Sequence, residues 1–257
     1  MYSLKYPQAV LSWAIALFFL LQLGACASVD EDSFENADKT AAALYDEAKA
    51  ALEQEDYETA IQKLESLEAR FPFGKYAQQA QLDMAYAYYK FEEPESAVSA
   101  ANRFIKLYPR HPHADYAYYL KGLVKFSQGQ SIFDGLASQD PAHRDPEAAN
   151  RSFQYFSELI SRFPNSKYAK DAAERMVYLR NNLAKHELFA AQHYLNRRAY
   201  LAAANRAKYI IENFQTTPST PDALLLMIDA YKKLKLTDLA ADAQRVYDLN
   251  FSTKHDK

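Results

Sequence analysis

Residues 41–72, AAALYDEAKAALEQEDYETAIQKLESLEARFP, hold two amphipathic stretches back to back. Leu44, Ala48 and Ala51 recur at helical spacing in the first, and Ala60, Ile61, Leu64, Leu67 and Phe71 in the second. Phe71-Pro72 closes the pair, because proline cannot continue a helix. The same ending returns at Tyr108-Pro109 and Phe163-Pro164, and at Phe214 and Phe251 without an immediate proline. Eleven residues before each of these aromatics stands a small residue: Ala60, Ala97, Ser152, Ala203 and Ala240. Twelve before those lie Ala48, Ala85 and Ala191 in the first, second and fourth units.

A small residue, another twelve later and an aromatic or proline about twelve beyond is the tetratricopeptide pattern. Where two antiparallel helices cross, only a hydrogen or methyl lets their backbones approach. The sequence therefore predicts an all-α chain, an α-solenoid of five tetratricopeptide helix pairs over about 41–72, 75–109, 112–164, 184–217 and 220–251. A lone pair cannot bury its apolar face, so stability must come from stacking. No segment alternates with a strand-like period of two.

Three departures from the pattern carry expectations. The third unit has an insertion at 129–144 (GQSIFDGLASQDPAHR) with loop composition, and Gly122 and Ser152 supply the small crossing pair around it. From Lys167 to Leu195 there is neither Gly nor Pro, which predicts one long helix bridging the third and fourth units, with Ser166 placed to cap it. In the fifth unit Ile228, not a small residue, falls twelve before Ala240, which predicts a looser or capping repeat. These features divide the chain into N-terminal repeats one to three at 40–164, a bridging helix with repeats four and five at 165–251, and a tail at 252–257.

Ahead of the repeats, an apolar run from Ala9 to Leu23, broken only by Ser12 and Gln22, follows an N-terminus whose one charged side chain is Lys5. It is shorter than the roughly 20 residues that span a bilayer, and its order of basic, apolar and small residues is that of a secretory signal peptide at 1–25. Leu23-Gly24-Ala25-Cys26 resembles the lipobox of bacterial lipoproteins, with the chain's single cysteine as the acylation site. That resemblance implies cleavage before Cys26 and several acyl chains, each buried CH₂ contributing about 0.8 kcal/mol to anchoring. Ala27, not Asp, follows the cysteine, and the enterobacterial sorting rule then favours the outer membrane. The acidic stretch 27–39 completes a tether over 26–39 that could reach roughly 45 Å at about 3.3–3.6 Å per residue.

Chemistry is sparse in the rest. A formal net charge of −3 carries no message of nucleic-acid binding. His111, His113, His143, His186, His193 and His255 show no metal-ligand spacing, so no metal is expected. Five glycines leave little for phosphate-binding loops, and neither a nucleophile elbow nor a dinucleotide fingerprint is present, so no cofactor is expected. Glu92-Glu93 precedes Pro94, where acids suit a helix start better than paired catalysis. The sequence is that of a binding scaffold, not an enzyme.

Solenoids of this kind bind extended segments in a groove lined mainly by the first helix of each unit. In the register above, Tyr45 and Lys49, then Tyr86, Tyr89 and Lys90, then Tyr116 and Tyr119 take groove-facing positions. Tyrosines with interspersed lysines can stack on a peptide's aromatics and pair with its C-terminal carboxylate. The alternative is that these tyrosines are packing residues with a wet hydroxyl.

Several motifs occur together: FPFGKYA at 71–77, LDMAYAYYK at 82–90, RFIKLYP at 103–109, HRDP at 143–146 and FPNSKY at 163–168. With the lipobox and acidic tether, they resemble the BamD family, tetratricopeptide lipoproteins of the outer-membrane β-barrel assembly machinery. The resemblance implies a lipid-anchored protein on the periplasmic face of the outer membrane. Its N-terminal repeats would receive the C-terminal targeting segment of unfolded outer-membrane proteins. Its C-terminal repeats would dock the periplasmic domain of the barrel-forming subunit and accessory lipoproteins. The family's docking arginine, in an N-R pair on the fourth unit's second helix, matches Asn205-Arg206, and Arg197 and Arg198 could extend a basic rim. A different tetratricopeptide lipoprotein, coordinating cell-wall or division factors, would share the anchor and helix pairs but not the insertion and linked motifs.

Overall fold

The computed structural model describes residues 40–128 and 146–251. Among the described residues there are ten helices and no strand: α1 Ala41–Glu53, α2 Tyr57–Arg70, α3 Lys75–Lys90, α4 Pro94–Leu107, α5 Ala114–Gln128, α6 Pro146–Arg162, α7 Ala169–Asn196, α8 Tyr200–Asn213, α9 Thr220–Lys233 and α10 Thr237–Phe251. The signal peptide, Cys26, the tether, the 129–144 insertion and the tail lie outside the described residues. No described helix is long and apolar enough to cross a membrane.

Each helix packs on the next in the chain, and the first helices α1, α3 and α5 also lie successively side by side, as do α7 and α9. This is the stacked-pair architecture the repeat predicts. The small residues sit at the crossings: Ala48 and Ala60, Ala85 and Ala97, and Ala191 and Ala203 are all fully buried. In the third pair Ser152 donates from Oγ to the Gly122 carbonyl at 2.9 Å, and a Cβ on Gly122 would collide with the Phe156 ring. The core between crossings is aliphatic and aromatic. Full burial of Leu44, Leu64 and Leu67 in the first unit stabilises by roughly 1.5–3 kcal/mol each.

The turns repeat as faithfully as the helices. Four of the five pairs turn through a non-glycine residue in the left-handed region: Glu55, Glu92, Arg198 and Lys235, with φ of 60°, 61°, 62° and 61°. Beside each, the next residue's N–H reaches back five residues, from Asp56 to Ala51, Glu93 to Tyr88, Ala199 to Tyr194 and Leu236 to Tyr231, at 2.9–3.0 Å. These bonds satisfy end carbonyls of the first helix and offset a left-handed cost of about 1–2 kcal/mol per residue. The second helices stop alike: Phe71, Tyr108, Phe163 and Phe214 each donate from N–H to a carbonyl four residues earlier at 2.8 Å.

The stretch without Gly or Pro forms α7, 28 residues long, packed on both α6 and α8. Ser166 does not cap it. Tyr168 is the N-cap, without a side-chain bond. Ser166 instead donates from Oγ to Asp115 Oδ2 at 2.6 Å and accepts from the Tyr168 N–H at 3.2 Å, tying the turn to α5. In the last pair Ile228 is buried despite its size, while Leu239, Val246 and Leu249 on α10 stay exposed, since among the described helices only α9 packs closely on α10.

Candidate functional site: a tyrosine face and an arginine helix

The tyrosine candidates sit on first helices α1, α3 and α5, where one helix face repeats from unit to unit. Tyr45 on α1 donates from its hydroxyl to Asp83 Oδ2 on α3 at 2.9 Å, and Gln79 donates to the other Asp83 oxygen at 2.9 Å. Its ring also tilts against Tyr76, centroids 5.5 Å apart. Tyr86, from the Asp83 side of α3, meets Tyr57 edge-on at 6.4 Å, and the Lys90 ammonium lies 5.6 Å from the Tyr57 ring centre. Tyr116 on α5 packs with Tyr86 and Tyr89 against the core between α3 and α5. Burial pushes its hydroxyl well above the usual range, with further contributions from nearby Tyr168, Tyr86 and Asp83.

The row continues onto α7 through residues that the sequence reading did not single out. Tyr168 packs against Tyr116 at 5.4 Å and stacks on Tyr119 at 4.7 Å with planes 14° apart. Tyr119 donates to Asp171 Oδ2 at 2.6 Å, which also accepts from Arg175 Nε at 2.6 Å. The Arg175 guanidinium in turn lies 4.7 Å from the Phe126 ring centre. Burial, then the Asp171 bond and charge, pushes the Tyr119 hydroxyl up to about 12. Burial alone would raise the Asp171 carboxyl, but the bonds from Arg175 and Tyr119 outweigh it and hold the group below its ordinary value.

Aromatic side chains thus recur along one face from α1 to the start of α7, with Asp83 and Asp171 accepting from Tyr45 and Tyr119. Two of its hydroxyls, on Tyr45 and Tyr119, are committed to carboxylates, and all five candidate tyrosines are partly buried and pack against core clusters. Lys49 is half-buried on α1 and Tyr89 half-buried on α3. Cations against these rings include Lys75 over Tyr76, Lys90 over Tyr57 and Lys167 over Tyr168, with Arg175 beside Tyr119 on Asp171. The missed residues were absent from the repeat arithmetic because Tyr45 and Asp83 stand 38 residues apart, and Tyr119 and Asp171 stand 52 apart. The one available signal for Asp83 was its place three before Tyr86 on the same helix.

The second set lies around α8. Arg206 donates from Nη1 to Glu187 Oε2 on α7 at 2.7 Å, and that bond with the Glu187 charge raises its already high pKa. The arginine side chain is 46% exposed and Glu187 only 16%, so the carboxylate is the seat and the guanidinium still faces solvent. Leu201, Asn205 and Tyr209, at i, i+4 and i+8, form an exposed row beside it. Arg197 closes α7 and Arg198 occupies the left-handed turn, both exposed. They stand about two helical turns from Arg206, so the structure places them at one end of α8 rather than next to it.

A family model described as YfiO, outer membrane lipoprotein, matches residues 37–246. The outer membrane protein assembly factor BamD of Neisseria meningitidis serogroup B is 48% identical over 234 residues, 90% of this chain and 88% of that protein. The BamD proteins of Vibrio cholerae and Haemophilus influenzae are 39% and 35% identical over 207 residues, 80% of this chain and 86% and 79% of theirs. Among solved structures, that of MamA protein aligns with 84% of this chain and 96% of its own at 14% identity and a TM-score of 0.35, too slight a likeness to bear on fold or function. With matches of this extent, the chain belongs to the YfiO family of outer membrane lipoproteins, the family of the BamD assembly factors.

Proposed function

We propose that this chain is a non-enzymatic assembly factor for outer-membrane proteins, anchored through acylated Cys26 on the periplasmic face of the outer membrane. The first-helix face of α1, α3 and α5 receives the C-terminal targeting segment of an unfolded barrel protein. Exposed α8, centred on Arg206, docks the periplasmic domain of the barrel-forming subunit, and the C-terminal repeats hold accessory lipoproteins. The mechanism is capture and hand-off without bond chemistry. The lipid raises the local concentration of the scaffold near its partner, and aromatic stacking accepts many side chains, so one groove suits many strands.

The aromatic row from Tyr45 to Tyr168 carries this reading. It offers rigid rings with few torsions to immobilise, which lowers the entropic cost of binding an extended segment. The test is fluorescence anisotropy with a labelled peptide that alternates apolar and polar residues and ends in phenylalanine. Tyr86→Ala should weaken binding roughly two- to tenfold, the worth of one aromatic contact. Unchanged affinity in a variant with wild-type helical circular dichroism sinks the groove assignment.

A further inference from the structure

The helices of the first three pairs alternate in direction, so their turns gather at two ends of the stack. The starts of α1 and α3 meet where the Tyr45 and Tyr76 rings lie 5.5 Å apart, and the α6–α7 turn is tied to the start of α5 by the bond from Ser166 to Asp115. At this end the turns 70–75 (RFPFGK), 106–113 (KLYPRHPH) and 162–170 (RFPNSKYAK) hold seven lysines and arginines and no carboxylate. The turns at the other end, 53–58 (EQEDYE) and 90–95 (KFEEPE), hold seven carboxylates and one lysine.

Helix dipoles account for part of this, since cations suit helix C-termini. They do not account for Lys75 as the first residue of α3 or Lys170 in the first turn of α7, and Glu53 as the last residue of α1 also runs against the dipole. The acids flanking the basic turns, Glu68, Asp115 and Asp171, each accept a hydrogen bond within the fold. Phe73 stands out from this end, 89% exposed between Arg70 and Lys75, and Leu107 is exposed beside Lys106. An exposed aromatic among cations is the composition of a surface that enters the headgroup layer of a bilayer. The chain ahead of the described residues also arrives here, joining the stack at Thr40, the N-cap of α1.

We infer that this basic end, with Phe73 at its tip, rests on the anionic phospholipid headgroups of the membrane that carries the anchor. The inference depends on the lipid anchor proposed above. Acyl chains on Cys26 hold the tether at the bilayer, and the tether enters the stack at the end whose charge complements anionic lipid. Phe73 places its ring at the headgroup boundary, and each lysine or arginine near the surface contributes about fivefold to the affinity. Helix ends and helix faces are different surfaces, so the tyrosine face stays open to a protein segment.

Phe73→Trp puts a reporter at the contact, since the chain's one tryptophan, Trp13, lies in the proposed signal peptide. The full chain carrying it is purified from membranes and reconstituted into vesicles of phosphatidylcholine, alone or mixed with phosphatidylglycerol, with bromine on the acyl chains and the unsubstituted chain as blank. In anionic vesicles the F73W emission should shift to the blue and be quenched, about 1 M salt should reverse both, and neutral vesicles should leave the emission as in water. Lys75→Gln, Lys106→Gln and Arg110→Gln together should weaken the contact about a hundredfold, while Lys232→Gln, in the last turn of α9, should leave it unchanged. Flotation separates this contact from the anchor. A chain that floats with both kinds of vesicle but is never quenched overturns the inference and leaves the anchor standing. A chain that fails to float with neutral vesicles removes the anchor, and salt-sensitive quenching by anionic vesicles would still uphold the basic end. Equal quenching in neutral and anionic vesicles, or an equal loss with Lys232→Gln, overturns it.

Discussion

Gly122 sits against the fully buried Phe156 ring at the crossing of α5 and α6, where its carbonyl also accepts from Ser152. In an exposed helix Gly→Ala stabilises by up to about 1 kcal/mol. Here the added methyl must displace a fully buried ring, and overpacking costs about 1–3 kcal/mol. Gly122→Ala should therefore lower stability by about 1–2 kcal/mol net, read as a lower denaturation midpoint with an unchanged m-value. Increased stability would mean that the ring moves aside freely. Tyr119 gives a second residue-level expectation. Its hydroxyl ionises near the ordinary 10 when unfolded but is held up to about 12 when folded, so the folded chain keeps a proton that the unfolded chain has lost. Stability must then fall as pH rises through that window. Tyr45, Tyr88 and Tyr116, all pushed upward, steepen the fall. Denaturation midpoints between about pH 10 and 12 should decline less steeply for Tyr119→Phe than for wild type; an identical slope would remove this residue from the account.

Among the helices, α8 carries one buried row and one exposed row. Ala203, Ala204, Ala207 and Ile210 are buried, while Leu201, Asn205, Arg206 and Tyr209 face outward. Arg206 is tied to Glu187 and the Tyr209 ring meets Phe214 edge-on, but the row keeps its outer side exposed. Arg206→Glu would set a carboxylate against Glu187 and a carboxylate-bearing partner alike, at some cost to stability because Glu187 is largely buried, while the core face of α8 is untouched. Recovery of the barrel-forming subunit on pull-down from solubilised outer membranes should fall about tenfold or more while helical circular dichroism stays intact. Undiminished recovery would remove Arg206 from the interface. The turns show the reverse relation between sequence and element. No glycine marks them, since Glu55, Glu92, Arg198 and Lys235 take the left-handed position instead. A search for turn glycines therefore passes over the most regular feature of the backbone.

At the scale of the assembled chain, stability is spread along the stack, each pair covering its neighbour's apolar face. The proposed membrane attachment rests on Cys26. Cys26→Ala should abolish incorporation of labelled palmitate and leave uncleaved precursor, with the repeats still helical. Palmitate retained in the variant would place the lipid elsewhere.

The fold was legible in one dimension because its determinants are local and recurrent. Close helix crossings demand Ala, Gly or Ser at fixed spacing, and an aromatic with proline ends each second helix, so periodicity alone specified stacked helical pairs. Which side chains share a surface was not legible. Tyr45 finds Asp83, Tyr119 finds Asp171 and Arg206 finds Glu187 across 38, 52 and 19 residues, and no local rule encodes those pairings. Only the superposition of one unit on the next brings them within hydrogen-bonding distance. That stacking brings scattered tyrosines of α1, α3 and α5 onto one face, with Tyr168 beside those of α5.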